Sequence, residues 1–172
     1  LLETDPGDVE LLLKLGNLYK GVGDLDRAID HYRKILDKEP DNYAALNELG
    51  HAYALKGDYG KAIEIFERAK GVKPKQPTAY NRLGNVFSGQ EKYDKALREY
   101  NTAKKVAPRH PDSYYNIARD QLKQGDRKGA ARTMKDALKA SPGDAEGYYN
   151  LGNINQGMDQ WKEALKNHKK AI

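Results

Sequence analysis

A period of 34 residues constrains this chain more than any other feature of its sequence. Between Tyr43 and Pro74, apolar or small residues recur at spacings of three and four, which marks one face of an α-helix. A Lys-Gly-Asp segment at 56–58 breaks this pattern, and a second helical face follows from Ala62 to Ala69 before Pro74 ends it. Sliding the unit by 34 residues matches the chain four more times without an insertion. The sequence therefore predicts tandem copies of one helix–turn–helix unit.

Two places of the repeat hold a small residue in every copy. They are the eighth (Gly16, Gly50, Gly84, Ala118 and Gly152) and the twentieth (Ala28, Ala62, Ala96, Ala130 and Ala164). Small side chains let two helices approach closely, so we expect the helices of each unit to cross there. A proline closes the first four units, at Pro40, Pro74, Pro108 and Pro142.

The period and the Leu-Gly…Tyr…Ala…Phe…Pro pattern resemble the tetratricopeptide repeat. The resemblance implies an all-α fold, a right-handed superhelical solenoid of antiparallel helix pairs. We expect a single array over residues 1–172, cut from a longer one at both ends. Its predicted parts are the tail of a preceding repeat at 1–8 and five repeats at 9–42, 43–76, 77–110, 111–144 and 145–172, the last truncated.

Composition and residue placement give little support for chemistry at an active site. The chain has no cysteine, and its four histidines fall in different repeats, with no helical pair at i, i+4 that could bind a metal. No apolar run approaches the roughly 18 residues that a membrane span needs. We therefore expect no enzyme, no cofactor, no metal site and no direct insertion into a membrane.

The tetratricopeptide resemblance implies that the first helices of successive repeats line a concave groove. Eleven residues at the inward places are the candidate partner-binding residues: Asn47, His51, Asn81, Arg82, Asn85, Tyr115, Asn116, Arg119, Tyr149, Asn150 and Asn153. The asparagine amides offer donors and acceptors to a peptide backbone. The two arginines suit a carboxylate, and the two tyrosines offer flat apolar contact. Tyr80, Tyr114 and Tyr148, at the fourth place, are instead predicted to pack in the interior.

Repeat domains that bind chaperones hold a terminal carboxylate with a set of five lysine, asparagine and arginine residues. Asn85 and Asn116 match the two asparagine places of that set, whereas Asn81, Glu146 and Asn150 replace its cations. The usual clamp is therefore not expected, and a looser version with Arg119 as the cation stays open.

The last two repeats depart from the pattern of the others. Gln121 and Asn155 replace an aromatic residue, Arg127 replaces an apolar one, and His168 stands where Phe or Tyr is usual. Buried polar groups need partners, so this end is expected to be looser, solvated or covered by another chain. Trp161 is expected to pack where Tyr59 and Tyr93 pack in their own repeats.

The leading functional prediction is a protein-interaction scaffold that binds a protein or peptide of acidic or carboxylate character in its groove. Nucleic-acid binding is the alternative, because the net charge is +5 and the isoelectric point is about 9.1. Most basic residues of repeats three to five fall on second helices, the expected outer surface, which argues against RNA in the groove. A third alternative is the recognition domain of an enzyme whose catalytic part lies elsewhere.

A narrower resemblance concerns the start of the first repeat. Val9-Glu10 and the run Leu12-Leu13-Lys14-Leu15-Gly16 are similar to the magnetosome-associated tetratricopeptide proteins of bacteria. That resemblance implies a cytoplasmic protein that self-assembles as a homo-oligomer and reaches an organelle membrane through other proteins.

Overall fold

The computed structural model describes residues 8–172, so all but the last residue of the repeat tail predicted at 1–8 lies outside the described residues. Over this range the chain forms ten α-helices and no strand, which confirms the all-α class. They are α1 (Val9–Gly21), α2 (Leu25–Lys38), α3 (Tyr43–Leu55), α4 (Tyr59–Val72), α5 (Pro77–Gly89), α6 (Tyr93–Val106), α7 (Asp112–Lys123), α8 (Arg127–Ala140), α9 (Ala145–Gln156) and α10 (Trp161–Lys170). The chain divides into two compact units after Val86, a point within α5.

Short acidic or amide side chains cap the starts of several of the described helices. Asp24, Asp58, Asp126 and Asp144 each accept a hydrogen bond from the backbone N–H three residues ahead, as does Asn42. Each bond satisfies one of the four N–H groups that the first turn of a helix leaves without a partner. These caps recur because the residue before each helix falls at a fixed place of the 34-residue period.

The turn inside each helix pair requires a left-handed backbone. Gly23, Gly57 and Gly125 have φ of 83°, 83° and 80° there. Glu91 and Asp159 occupy the same place of the period with φ of 59° and 58°. Glycine adopts this conformation without steric cost, whereas a residue with a Cβ does not. The turn is therefore set by the backbone geometry of the repeat and is strained in two of its five copies.

The first unit is held together at the predicted helix crossings. A Cβ added to Gly16 would lie 2.5 Å from Tyr32 Cε1, and one added to Gly50 would lie 2.7 Å from Phe66 Cε1. Both rings are fully buried. The glycines therefore make room for aromatic rings, as the small eighth place predicted. Around these crossings, α2 packs on both α1 and α3, and α3 packs on α4.

The second unit uses the same crossing with other side chains. Met134 is buried among alanines of α7 and α8, and an added Cβ on Gly152 would lie 2.6 Å from His168 Cε1. His168 thus takes the position of the aromatic ring that other repeats place against the glycine. Trp161 differs from the expectation, because 59% of it is exposed, whereas Tyr59 and Tyr93 are half-buried.

None of the helices within residues 8–172 combines the length and the apolar character needed to cross a membrane.

Candidate functional site

In the first unit, the predicted groove residue Arg82 belongs to a polar network within its own chain. Arg82 donates from Nη2 to Oε1 of Glu48 at 2.7 Å and from Nη1 to the backbone oxygen of Asn47 at 2.9 Å. Lys20 donates to the other carboxylate oxygen of Glu48. Burial opposes ionisation of Glu48, but the two cations together lower the pKa of its carboxyl. Arg82 therefore already has a carboxylate partner within its own chain.

The neighbouring amides and imidazole of this unit are mostly enclosed. Asn47 is 3% exposed and Asn81 is 6% exposed, and His51 is half-buried. Burial, followed by the charges of Arg82 and Lys20, lowers the pKa of His51. The Oδ1 atoms of both asparagines and Nδ1 of His51 are buried with no hydrogen-bond partner among residues 8–172. Of the five predicted groove residues in this unit, Asn85 alone is fully at the surface.

The second unit contains an open cleft of about 440 Å³ between α7 and α9, with α8 at its base. Four predicted partner-binding residues line it: Tyr115, Arg119, Asn150 and Asn153. The remaining lining residues are Ala118, Leu122, Arg127, Met134, Glu146, Ile154 and Gly157. We call this feature the α7–α9 cleft.

Helical spacing explains why these residues meet. On α7, positions 115, 118, 119 and 122 share one face, and on α9 positions 146, 150, 153 and 154 share another. Leu122 is 41% exposed inside the cleft, although the side chains of Met134 and Ile154 below it are buried. The cleft therefore presents apolar surface to solvent between rims of polar and charged side chains.

Some polar side chains on the rim of the cleft are held by contacts within the chain, and others have unused hydrogen-bonding groups. Tyr115 donates its hydroxyl to the carboxylate of Asp144, which also caps α9, and this contact sets the orientation of the ring. Burial, followed by Asp144, raises the pKa of Tyr115. Arg119 lies 3.5 Å from the Tyr100 hydroxyl and 3.8 Å from a carboxylate oxygen of Asp120. By contrast, the side-chain amides of Asn150 and Asn153 have no hydrogen-bond partner within the described part of the chain.

Two predicted residues of this unit lie outside the cleft lining. Asn116 is 9% exposed, and Tyr149 is exposed outside the cleft lining, with its ring centroid 5.5 Å from that of His168. Sequence reasoning also missed cleft residues, of which Arg127 is the most informative. The sequence did show an arginine at a place that is apolar in the other repeats. It could not show that this arginine borders a cleft, because the cleft is formed by three helices.

No group of three or more histidine, cysteine, aspartate or glutamate residues in the range 8–172 is arranged to hold a metal ion.

Comparison with known proteins identifies a family and several solved structures that resemble this chain. Models of the tetratricopeptide repeat family match residues 13–79 and 75–143. No curated protein matches the sequence significantly. Among solved structures, MamA is 25% identical with a TM-score of 0.68, covering 99% of this chain and 94% of that chain.

Two further structures share the fold at lower identity. The tetratricopeptide protein TTC0263 of Thermus thermophilus is 22% identical with a TM-score of 0.72, covering 95% of this chain and 89% of that one. YrrB, described as having an unusual peptide-binding site, is 23% identical with a TM-score of 0.59, covering 98% and 87%. The family matches support a protein-interaction scaffold. The chain belongs to the tetratricopeptide repeat family.

Proposed function

We propose that this chain binds an extended peptide segment of a partner protein in the α7–α9 cleft. The observation that carries the proposal is the meeting of Tyr115, Arg119, Asn150 and Asn153 around exposed apolar surface. Ligand sites in proteins are typically concave and apolar, with a few polar groups that fix orientation. The cleft has this composition.

Each part of the cleft has a role in this proposal. Burying the exposed part of Leu122 against a partner side chain would supply favourable transfer free energy, about 25 cal/mol for each Å² of apolar surface removed from water. The amides of Asn150 and Asn153 can each donate to and accept from a peptide backbone. Arg119 on the rim favours a partner of acidic or carboxylate character.

The first unit supports a different use of its polar residues. Asn47 and Asn81 are buried, and Arg82 is paired with Glu48. Opening that network to receive a peptide would remove contacts that the carboxylate of Glu48 already has. The sequence placed candidate partner-binding residues in four repeats. The proposal restricts the binding site to those in the second unit.

The test is affinity selection from a library of random 12-residue peptides displayed on phage. Wild-type protein is expected to enrich a family of sequences, and the double variant Asn150→Ala with Asn153→Ala to bind them at least about tenfold more weakly. A matched control is Asn101→Ala, which removes an amide of the same unit outside the cleft lining. Circular dichroism checks that helix content is unchanged in all variants.

The proposal is contradicted if the double variant binds the enriched peptides as tightly as the wild type does. It is also contradicted if the wild type enriches no peptide. The RNA alternative is tested with a labelled single-stranded RNA at low and high salt. Binding that falls steeply with salt, together with an empty peptide selection, would favour nucleic acid instead.

Self-assembly is a second candidate property, supported by the likeness to MamA and by the resemblance of the first repeat to magnetosome-associated proteins. We propose homo-oligomers, a cytoplasmic location and attachment to an organelle surface through protein partners. Sedimentation velocity over a wide concentration range tests the oligomers. A single species of monomer mass at every concentration contradicts them. Cell fractionation tests the location.

A further inference from the structure

Arg127 lines the α7–α9 cleft at a position where the other repeats carry an apolar residue. The first residues of α2, α4, α6 and α10 are Leu25, Tyr59, Tyr93 and Trp161, each separated from the next start by one period or two. Arg127 begins α8 at the same place. The substitution of a cation for an apolar residue occurs only in this helix of the five that start at that place in the described chain.

The amino end of α8 gives no reason for a cation there. The amino end of a helix carries partial positive charge, so an arginine in the first turn of α8 is repelled by the helix dipole. The side chain of Arg127 is exposed, and its guanidinium has no ion-pair or hydrogen-bond partner among residues 8–172. A residue that is unfavourable for its helix and unpaired in its surroundings is a candidate for function.

The position of Arg127 within the cleft defines what it could contact. A Cβ added to Gly157 would lie 3.8 Å from Arg127 Nε, so the guanidinium stem lies beside the carboxyl end of α9. The same cleft holds the exposed side chain of Leu122 and the second cation Arg119, against one carboxylate, that of Glu146. An unpaired guanidinium therefore borders an apolar surface in a cleft with more positive than negative side chains.

We propose that Arg127 determines the specificity of the α7–α9 cleft by pairing with an acidic side chain that lies next to an aliphatic residue in the bound peptide. This inference rests on the proposed function of the cleft as a peptide site. The aliphatic side chain packs on Leu122 and the buried residues below it, and the carboxylate accepts hydrogen bonds from the planar guanidinium. The ligand class is an internal acidic–aliphatic segment, and no free peptide terminus is required.

A competing explanation is that Arg127 stabilises the carboxyl end of α9 by its charge. Under that explanation the loss of the guanidinium changes the free energy of unfolding and leaves peptide preference unaltered. Under the proposal it changes preference for acidic peptides alone. Measurements of the free energy of unfolding and of peptide preference therefore distinguish the two explanations.

The experiment is a cycle of substitutions in protein and peptide. Peptides enriched by the wild-type protein are synthesised with acetylated and amidated ends, so that their only carboxylates belong to side chains. Each is paired with a version in which the acidic residue is replaced by its amide. Dissociation constants are measured by fluorescence anisotropy for the wild type, Arg127→Gln and Arg127→Lys.

The wild type is expected to bind the acidic peptide about tenfold more tightly than the amide peptide, and Arg127→Gln to bind both equally. Arg127→Lys keeps the charge but not the planar fork, so an intermediate ratio is expected. The matched control is Arg132→Gln, which removes an exposed arginine of the same helix outside the cleft. It is expected to leave the ratio unchanged.

Three outcomes overturn the proposal. They are enriched peptides without acidic residues, an acidic preference that persists in Arg127→Gln, and a preference lost equally in Arg132→Gln. In each of these cases peptide binding itself still stands. If no peptide is enriched, the proposed function fails and this inference fails with it.

Discussion

Arg82 and Glu48, which lie 34 positions apart in sequence, form a hydrogen-bonded ion pair of 2.7 Å between α5 and α3 of the first unit. Arg82 lies at the sixth place of its predicted repeat, and Glu48 lies at the same place of the repeat before. Lys20 of α1 meets the same carboxylate. Polar residues at places predicted to face inward therefore link successive helix pairs of the first unit.

Removal of the Arg82 guanidinium is expected to destabilise the first unit. Arg82→Met leaves Glu48 half-buried with Lys20 as its remaining partner, which should cost about 1–3 kcal/mol. Urea unfolding followed by circular dichroism measures the loss. Adding Glu48→Gln should recover part of it, because no carboxylate then lacks its partner. An unchanged midpoint for Arg82→Met would show that the pair contributes nothing to stability.

Stability is expected to fall with decreasing pH in two steps. The pKa of His51 is held below its ordinary value of 6.5, first by burial and then by the charges of Arg82 and Lys20. The unfolded chain therefore binds this proton more readily, and stability declines as pH falls below about 6.5. The pKa of Glu48 lies below its ordinary value of 4.5 because Lys20 and Arg82 together outweigh burial, so a second decline begins below about 4.5.

Melting temperature as a function of pH measures both steps. Glu48→Gln should reduce the acid step. His51→Gln should reduce the step near neutrality, to which His31 also contributes because burial lowers its pKa as well. A melting temperature that rises on acidification over either range would contradict the sign of the corresponding pKa shift.

Truncation of the apolar seam is expected to be costly only where the side chain is buried. Leu49 is 3% exposed in α3, so Leu49→Ala should lower the free energy of unfolding by about 2–5 kcal/mol. Leu55 lies in the same helix but is largely exposed, and Leu55→Ala should change stability by less than about 0.5 kcal/mol. Equal effects of the two substitutions would mean that the seam is misassigned.

The left-handed turn gives a prediction of opposite sign at two equivalent places. Glu91→Gly should stabilise the protein by up to about 1 kcal/mol, because it removes the Cβ from a residue with φ of 59°. Gly57→Ala should destabilise it by about 1 kcal/mol, because a residue with a Cβ is strained at a φ of 83°. No clash adds to this cost, since no heavy atom lies within 4 Å of the added Cβ. Thermal unfolding of both variants tests the pair, and a loss of stability in Glu91→Gly would disprove the strain.

The sequence anticipated the fold more fully than the site. Gly16 against Tyr32 and Gly50 against Phe66 follow from a period that repeats the same small and large residues at fixed places. Trp161 fails the same reasoning, because its exposure depends on which neighbours cover the outer face of α10. The boundaries of the five repeats, and their action as one array, stay predictions.

For the site, sequence reasoning selected a set of helix places predicted to face inward but could not divide their residues by use. Asn150 and Asn153 line a cleft, whereas Asn47 and Asn81 are enclosed. Yet all four lie at places that were predicted to face inward, and Asn153 occupies the place of His51. The difference arises from the residues of adjacent helices that cover each position. Whether a residue is covered depends on distances between atoms of separate helices. The pattern of residues along the sequence does not give these distances.

The sequence by itself determined the helices, their turns and their crossings, because these depend on residues three or four apart and on a repeat that selects the same local geometry each time. Only the tertiary structure decided that Arg82 is paired within the chain and that the side chain of Arg127 borders an open cleft, where its guanidinium has no partner among the described residues. The physical reason is that both facts depend on side chains brought together from different helices, where packing and burial select one contact among several that the sequence allows.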